Sequence, residues 1–81
     1  MRNFSKWCGD HLQRTQVIST RIHSIGYNRD SQILEIEFHK GSIYHYFGVP
    51  ESVFNELMSA SSKGRFLTYR IERTYRYQPI V

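Results

Sequence analysis

Apolar residues recur along this chain with two different periods. Between residues 33 and 38 they alternate strictly: Leu34, Ile36 and Phe38 fall on one side, Glu35 and Glu37 on the other. That pattern predicts a strand buried on one face only. Residues 20–27 are also β-prone and run into Gly26-Tyr27-Asn28-Arg29-Asp30-Ser31, a turn-forming cluster. Lys40-Gly41 turns the chain again, and residues 42–47 return as a third strand. The length of that second turn sets the register. A two-residue turn pairs Phe38 with Ile43 and buries His45. A three-residue loop with Gly41 in a left-handed bulge instead sets Tyr44 and Tyr46 beside Leu34 and Ile36. His45 then joins Glu35 and Glu37 on the outer face, which leaves no imidazole buried without a partner, and this register is the expected one.

Beyond residue 48 the period lengthens to that of a helix. Val49-Pro50-Glu51-Ser52 stops the strand, with Pro50 near the first turn and Glu51 placed well for the dipole. Val53, Phe54, Leu57 and Met58 form the apolar stripe of a first helix. Ser61 or Ser62 can cap a second, whose inward face is Phe66, Leu67 and Ile71. Residues 74–81 read as extended, since Pro79 prevents a continuing helix. At the other end, Phe4, Trp7, Cys8 and Leu12 follow a loose helical spacing that Gly9 weakens by about 1 kcal/mol. The expected fold class is α+β: a three-stranded antiparallel β-meander followed by two helices packed on one face. An N-terminal helical or arm extension (1–17) precedes a domain over 18–81. An open sheet edge leaves room for a homo-oligomer.

At 81 residues the chain suits one domain, which hides only about 60% of its unfolded surface. Its single cysteine, Cys8, rules out an intrachain disulfide. No signal-peptide pattern or membrane-length apolar run is visible, so the expectation is a soluble cytoplasmic protein with no membrane partner. The net charge of +4 is unevenly spread. Residues 1–60 balance six basic side chains with six acidic ones. Residues 61–81 set Lys63, Arg65, Arg70, Arg73 and Arg76 against Glu72 alone. Such asymmetry points to an anionic partner for the last quarter of the chain. The plain alternative is a solvated helix face.

From about Ile22 to Tyr75 the chain resembles the KTSC domain, a short family named for its occurrence at the C-terminus of some lysyl-tRNA synthetases. The resemblance rests on Ile25-Gly26-Tyr27, then Leu34, Ile36, Phe38 and Gly41, then the central Tyr44-His45-Tyr46. It continues through Val49-Pro50, Val53, Leu57, Ala60, Ser62 and Gly64 to Ile71 and Tyr75. It implies the meander with helices, with no catalytic activity attached to the motif, and RNA binding has been suggested for the family. Asn28 stands where the family usually has Asp, and both favour turns. Residues 1–17 lie outside the resemblance.

The residues themselves offer little catalytic chemistry: no spaced carboxylate pair, no Gly-x-Ser-x-Gly, no P-loop. Cys8 and His11 lack a third group and supply at most half of a zinc site, while His23, His39 and His45 are scattered. Neither enzymatic activity, nor a metal, nor a cofactor is expected. Tyr44 and Tyr46 read as core with hydroxyls reaching the rim, and base stacking is the competing reading. Lys63-Gly64-Arg65 at a helix start suits a phosphate. Further on, Arg70, Arg73 and Arg76 interleave with Tyr69, Tyr75 and Tyr77, a mixture suited to phosphate contact with base stacking. The expected function is a small non-catalytic binding domain for nucleic acid, RNA ahead of DNA, through this Arg/Tyr-rich face. The alternatives are a small anionic, nucleotide-like ligand at Lys63-Gly64-Arg65, or a protein partner or inhibited target met by Phe4, Trp7 and Leu12.

Overall fold

Five strands pair in chain order to form one antiparallel sheet: β1 (Arg14–Gln16), β2 (Ile22–Asn28), β3 (Ile33–Phe38), β4 (Ile43–Tyr46) and β5 (Tyr77–Pro79). Between β4 and β5 lie α1 (Glu51–Ser59), α2 (Lys63–Phe66) and a π-helical turn, Leu67–Ile71, that continues α2. This computed structural model describes residues 13–81. The fold is α+β as expected, but its sheet is two strands wider than the expected three. β1 falls within the stretch read as an arm, and β5 within the extended tail. Each is three residues long, too short to show a period of two, and each is recognisable only through its neighbour. Pro79 carries no backbone N–H and is tolerated on an edge strand.

The turns follow from their residues. Asn28 Oδ1 accepts hydrogen bonds from the backbone N–H of Asp30 (2.9 Å) and Ser31 (3.0 Å), which closes the β2–β3 connection. At the β3–β4 loop Phe38 N donates to Ser42 O (2.9 Å), and Gly41 sits at φ +102°, where a side chain would be strained. The loop is the three-residue form. Leu34 faces Tyr46, Ile36 faces Tyr44 and Glu35 faces His45, the register argued from the imidazole.

One face of the sheet carries the core. Ile22, Ile25, Leu34, Ile36 and Tyr46 are buried there beneath Val49, Leu57, Leu67 and Ile71. Burying each large aliphatic side chain contributes about 1.5–3 kcal/mol. Ile22 and Ile25 are an odd number of positions apart and share this face because His23 is an extra residue, a bulge between the Ile22–Phe38 and Ser24–Glu37 pairs. Tyr27 stacks on Phe54 of α1 with ring centroids 4.7 Å apart, fixing that helix to β2.

The other face is polar without being open. Glu35 is only 3% exposed and pairs with both Arg14 of β1 and His45, whose Nε2–H donates to Glu35 Oε1 at 2.7 Å. Arg14 also reaches Glu37 at 3.3 Å, and Ser24 Oγ donates to the same carboxylate at 2.9 Å. The Ser24 hydroxyl, with Arg14 and His23 behind it, holds the Glu37 carboxyl below the ordinary range. His23 Nδ1 lies 3.4 Å from Glu37 but is too poorly aligned to hydrogen-bond, and that buried nitrogen has no hydrogen-bond partner among the described residues.

Candidate nucleic-acid interface

The helical segment after α1 positions most of the C-terminal cations, and it uses some of them internally. Lys63 Nζ donates to the Ala60 carbonyl at 2.9 Å, closing the turn that starts α2. Ser62 occupies the N-cap position without a side-chain cap bond. Gly64 faces the loop before β2: a Cβ there would lie 3.6 Å from Arg21 Cβ and Cδ. Its carbonyl accepts from Thr68 Oγ1 (3.0 Å) and from Arg21 Nη1 (3.4 Å). The Lys63-Gly64 start is therefore packed on its own chain. Arg70 pairs with Glu56 of α1 at 3.1 Å and lies over the Phe66 ring. Arg65, Arg73 and Arg76 are exposed and make no ion pair among the described residues.

Arg21 links the helical layer to the sheet. It donates to Thr68, lies 3.4 Å from Glu72 Oε2, and stands over the Phe38 ring, 5.3 Å from its centroid. Nothing local in Ser-Thr-Arg-Ile distinguishes it, because every one of these partners is distant in sequence. Two grooves meet at Thr20 and Arg21. The first, ≈ 390 Å³, is walled by Phe38, Tyr44 and Tyr77, with His39 and Lys40 at the rim and Glu72 beside Arg21. The second, ≈ 620 Å³, runs between Ser19–Thr20 and α2, past Lys63, Arg65 and Tyr69. Tyr69 is 60% exposed and Tyr77 49%, so each presents ring surface to solvent.

The central Tyr-x-Tyr divides its two members. Tyr46 is fully buried, and its hydroxyl donates to Glu72 Oε2 at 3.1 Å. Burial, then the Glu72 charge, push that hydroxyl's pKa far upward, so it remains a donor. Tyr44 lies two residues earlier on the same face of β4, opposite Ile36. It is half-buried, edge-on to Phe38 at 5.6 Å and 5.8 Å from Tyr77. The helices cover the first ring and leave the second as a groove wall. Glu72 enters this group through the π-helical turn, where its N–H bonds Leu67 O at 2.8 Å. Such widened turns are frequent at functional sites.

Tyr44, Tyr69, Tyr77, Lys63, Gly64 and the C-terminal arginines stand out in the sequence as binding candidates, whereas Phe38 and Lys40 suggest only strand and turn there, and Arg21 and Glu72 suggest no binding role. Tyr75 is half-buried against the core. Phe4, Trp7 and Leu12, with Cys8 and His11, lie outside the described residues. Among the described residues no three His, Cys, Asp or Glu side chains stand close enough to share a metal ion, and no helix is long and apolar enough to cross a membrane.

Residues 18–75 match the KTSC domain family, and the chain belongs to that family. It is 44% identical to a KTSC domain protein from Yersinia pestis of known crystal structure. The likeness covers 88% of this chain and all of that one, with a TM-score of 0.81. An uncharacterized protein of Stutzerimonas stutzeri is 37% identical over 67 residues, 82% of this chain and 94% of its own length. A lysine–tRNA ligase of Nostoc punctiforme is 37% identical over 59 residues, 73% of this chain. That match spans only 10% of the ligase.

Proposed function

We propose that this chain is a small non-catalytic domain that binds single-stranded RNA in the cytoplasm. The observation that carries the reading is the meeting of the two grooves at Thr20 and Arg21, each lined by an exposed tyrosine and an exposed cation with no ion pair among the described residues. Tyr69 and Arg65 border one groove and Tyr77 and Lys40 the other, while Arg73 and Arg76 flank the return to the sheet. A single strand needs cations for its phosphates and rings for its unstacked bases, and this surface offers both. The kinship with a segment of lysine–tRNA ligases, enzymes whose substrate is an RNA, supports the same reading.

The test is binding of a labelled single-stranded RNA across a salt series. Three phosphates neutralised by Arg65, Arg73 and Arg76 give a slope of log affinity against log salt near about −2. Replacing each arginine by Ala makes the slope shallower by about 0.7 and weakens every sequence alike. Binding that ignores salt, or that survives the triple substitution unchanged, rules the reading out. A second reading, capture of a small anionic nucleotide at Lys63-Gly64-Arg65, is favoured by the size of the groove these residues line, ≈ 620 Å³, which lies within the range of small-ligand sites. A nucleotide at 100 times its dissociation constant then raises stability by about 2.7 kcal/mol in a melting scan.

A further inference from the structure

The aromatic groove is lined by one acidic side chain, Glu72, and its free acceptor bears on which base fits there. Glu72 Oε2 is engaged by the Tyr46 hydroxyl and Arg21, but Oε1 makes no hydrogen bond among the described residues. An ionised carboxylate only accepts, so whatever meets it must donate. A phosphate cannot do so and is repelled. A base edge can. Guanine presents two adjacent donors, N1–H and the N2 amine, beside the O6 acceptor, whereas adenine, cytosine and uracil each offer a donor on one ring position only. Arg21 lines the same groove, and its Nε–H, which makes no hydrogen bond among the described residues, can donate to O6. Tyr77 supplies an exposed ring for the base to lie on, and Lys40 at the rim can meet the adjoining phosphate.

We infer that the groove walled by Phe38, Tyr44 and Tyr77 is a base-reading pocket selective for guanine, with Glu72 as the specificity-determining residue. The inference rests on the RNA-binding reading and adds base selectivity to it. The arginine surface holds the strand without regard to sequence, and Glu72 chooses the nucleotide that enters the groove.

The experiment compares short oligouridine RNAs carrying one central guanosine, inosine or adenosine. Inosine keeps N1–H and O6 and lacks the N2 amine. The guanosine oligomer is expected to bind about tenfold tighter than the inosine one, the value of one charge-assisted hydrogen bond, with adenosine weaker still. Glu72→Gln should remove most of the guanosine preference while leaving the salt dependence in place. Tyr77→Ala should weaken the guanosine oligomer toward the level of oligouridine. If Glu72→Gln fails to fold, the guanosine–inosine comparison on the unaltered protein decides alone. Equal, salt-sensitive affinity for all three oligomers overturns the guanine pocket and leaves the RNA-binding reading standing. No binding of any oligomer at low salt overturns both.

Discussion

The two faces of the sheet draw alternate residues from the same strands and are stabilised in different ways. Leu34, Ile36 and Tyr46 point under the helices and are fully buried among apolar neighbours. Glu35, between Leu34 and Ile36, points the opposite way and is almost as buried, yet it is surrounded by Arg14 and His45. The apolar face gains from burial in any well-packed arrangement. The polar face gains only if each desolvated group finds its partner, and it loses heavily if one is removed. The first tolerates change in proportion to volume; the second depends on individual atoms.

The largest expected effect tests the apolar side. Leu57→Ala, removing a fully buried side chain from α1, should cost about 2–5 kcal/mol in denaturant unfolding. A cost under 1 kcal/mol would mean that the helices hardly close the core. Next comes Glu35→Ala, which leaves His45 without its carboxylate and Arg14 with Glu37 alone, and should cost about 1–3 kcal/mol. A double-mutant cycle with Arg14→Ala separates their coupling from the loss of packing; additive effects would show that the pair is not coupled. If Glu35→Ala instead costs as little as a surface change, the contrast between the faces collapses.

A smaller effect is expected in acid. The Glu37 carboxyl is held low by the Ser24 hydroxyl, so the folded protein takes up this proton less readily than the unfolded chain. Its contribution is full above the ordinary carboxylate pKa and is lost as the pH falls through the lowered folded value. Glu37→Gln should therefore flatten part of the acid limb of the stability profile, and an unchanged limb counts against this linkage. Smallest of all, Arg70→Ala breaks an exposed pair with Glu56 and should shift stability by no more than about 0.5 kcal/mol. RNA affinity should fall less than for Arg73→Ala, whose guanidinium is free of any ion pair among the described residues.

What could be read beforehand depended on local periodicity. The alternation from Ile33 to Phe38, the Gly41 loop and the stripe Val53, Phe54, Leu57 and Met58 each state their own structure, so the central meander, its register and α1 were legible. β1 and β5 were not, because three residues carry no period and pair only once a neighbouring edge exists. The interface divides in the same way. Arginines and tyrosines in residues 61–81 announce a basic aromatic surface by their density alone. Which remain free is a tertiary matter: Arg70 is spent on α1, Lys63 on its own helix start, while Arg65, Arg73 and Arg76 stay exposed. Arg21 and Glu72 meet across 51 positions through the bulge-corrected strand on one side and the π-helical turn on the other. Composition and spacing settle which groups are available and which faces are apolar, because those properties are short-range. Which groups meet, and which partners they lose to internal bonds, depends on chain segments brought together only when the core closes.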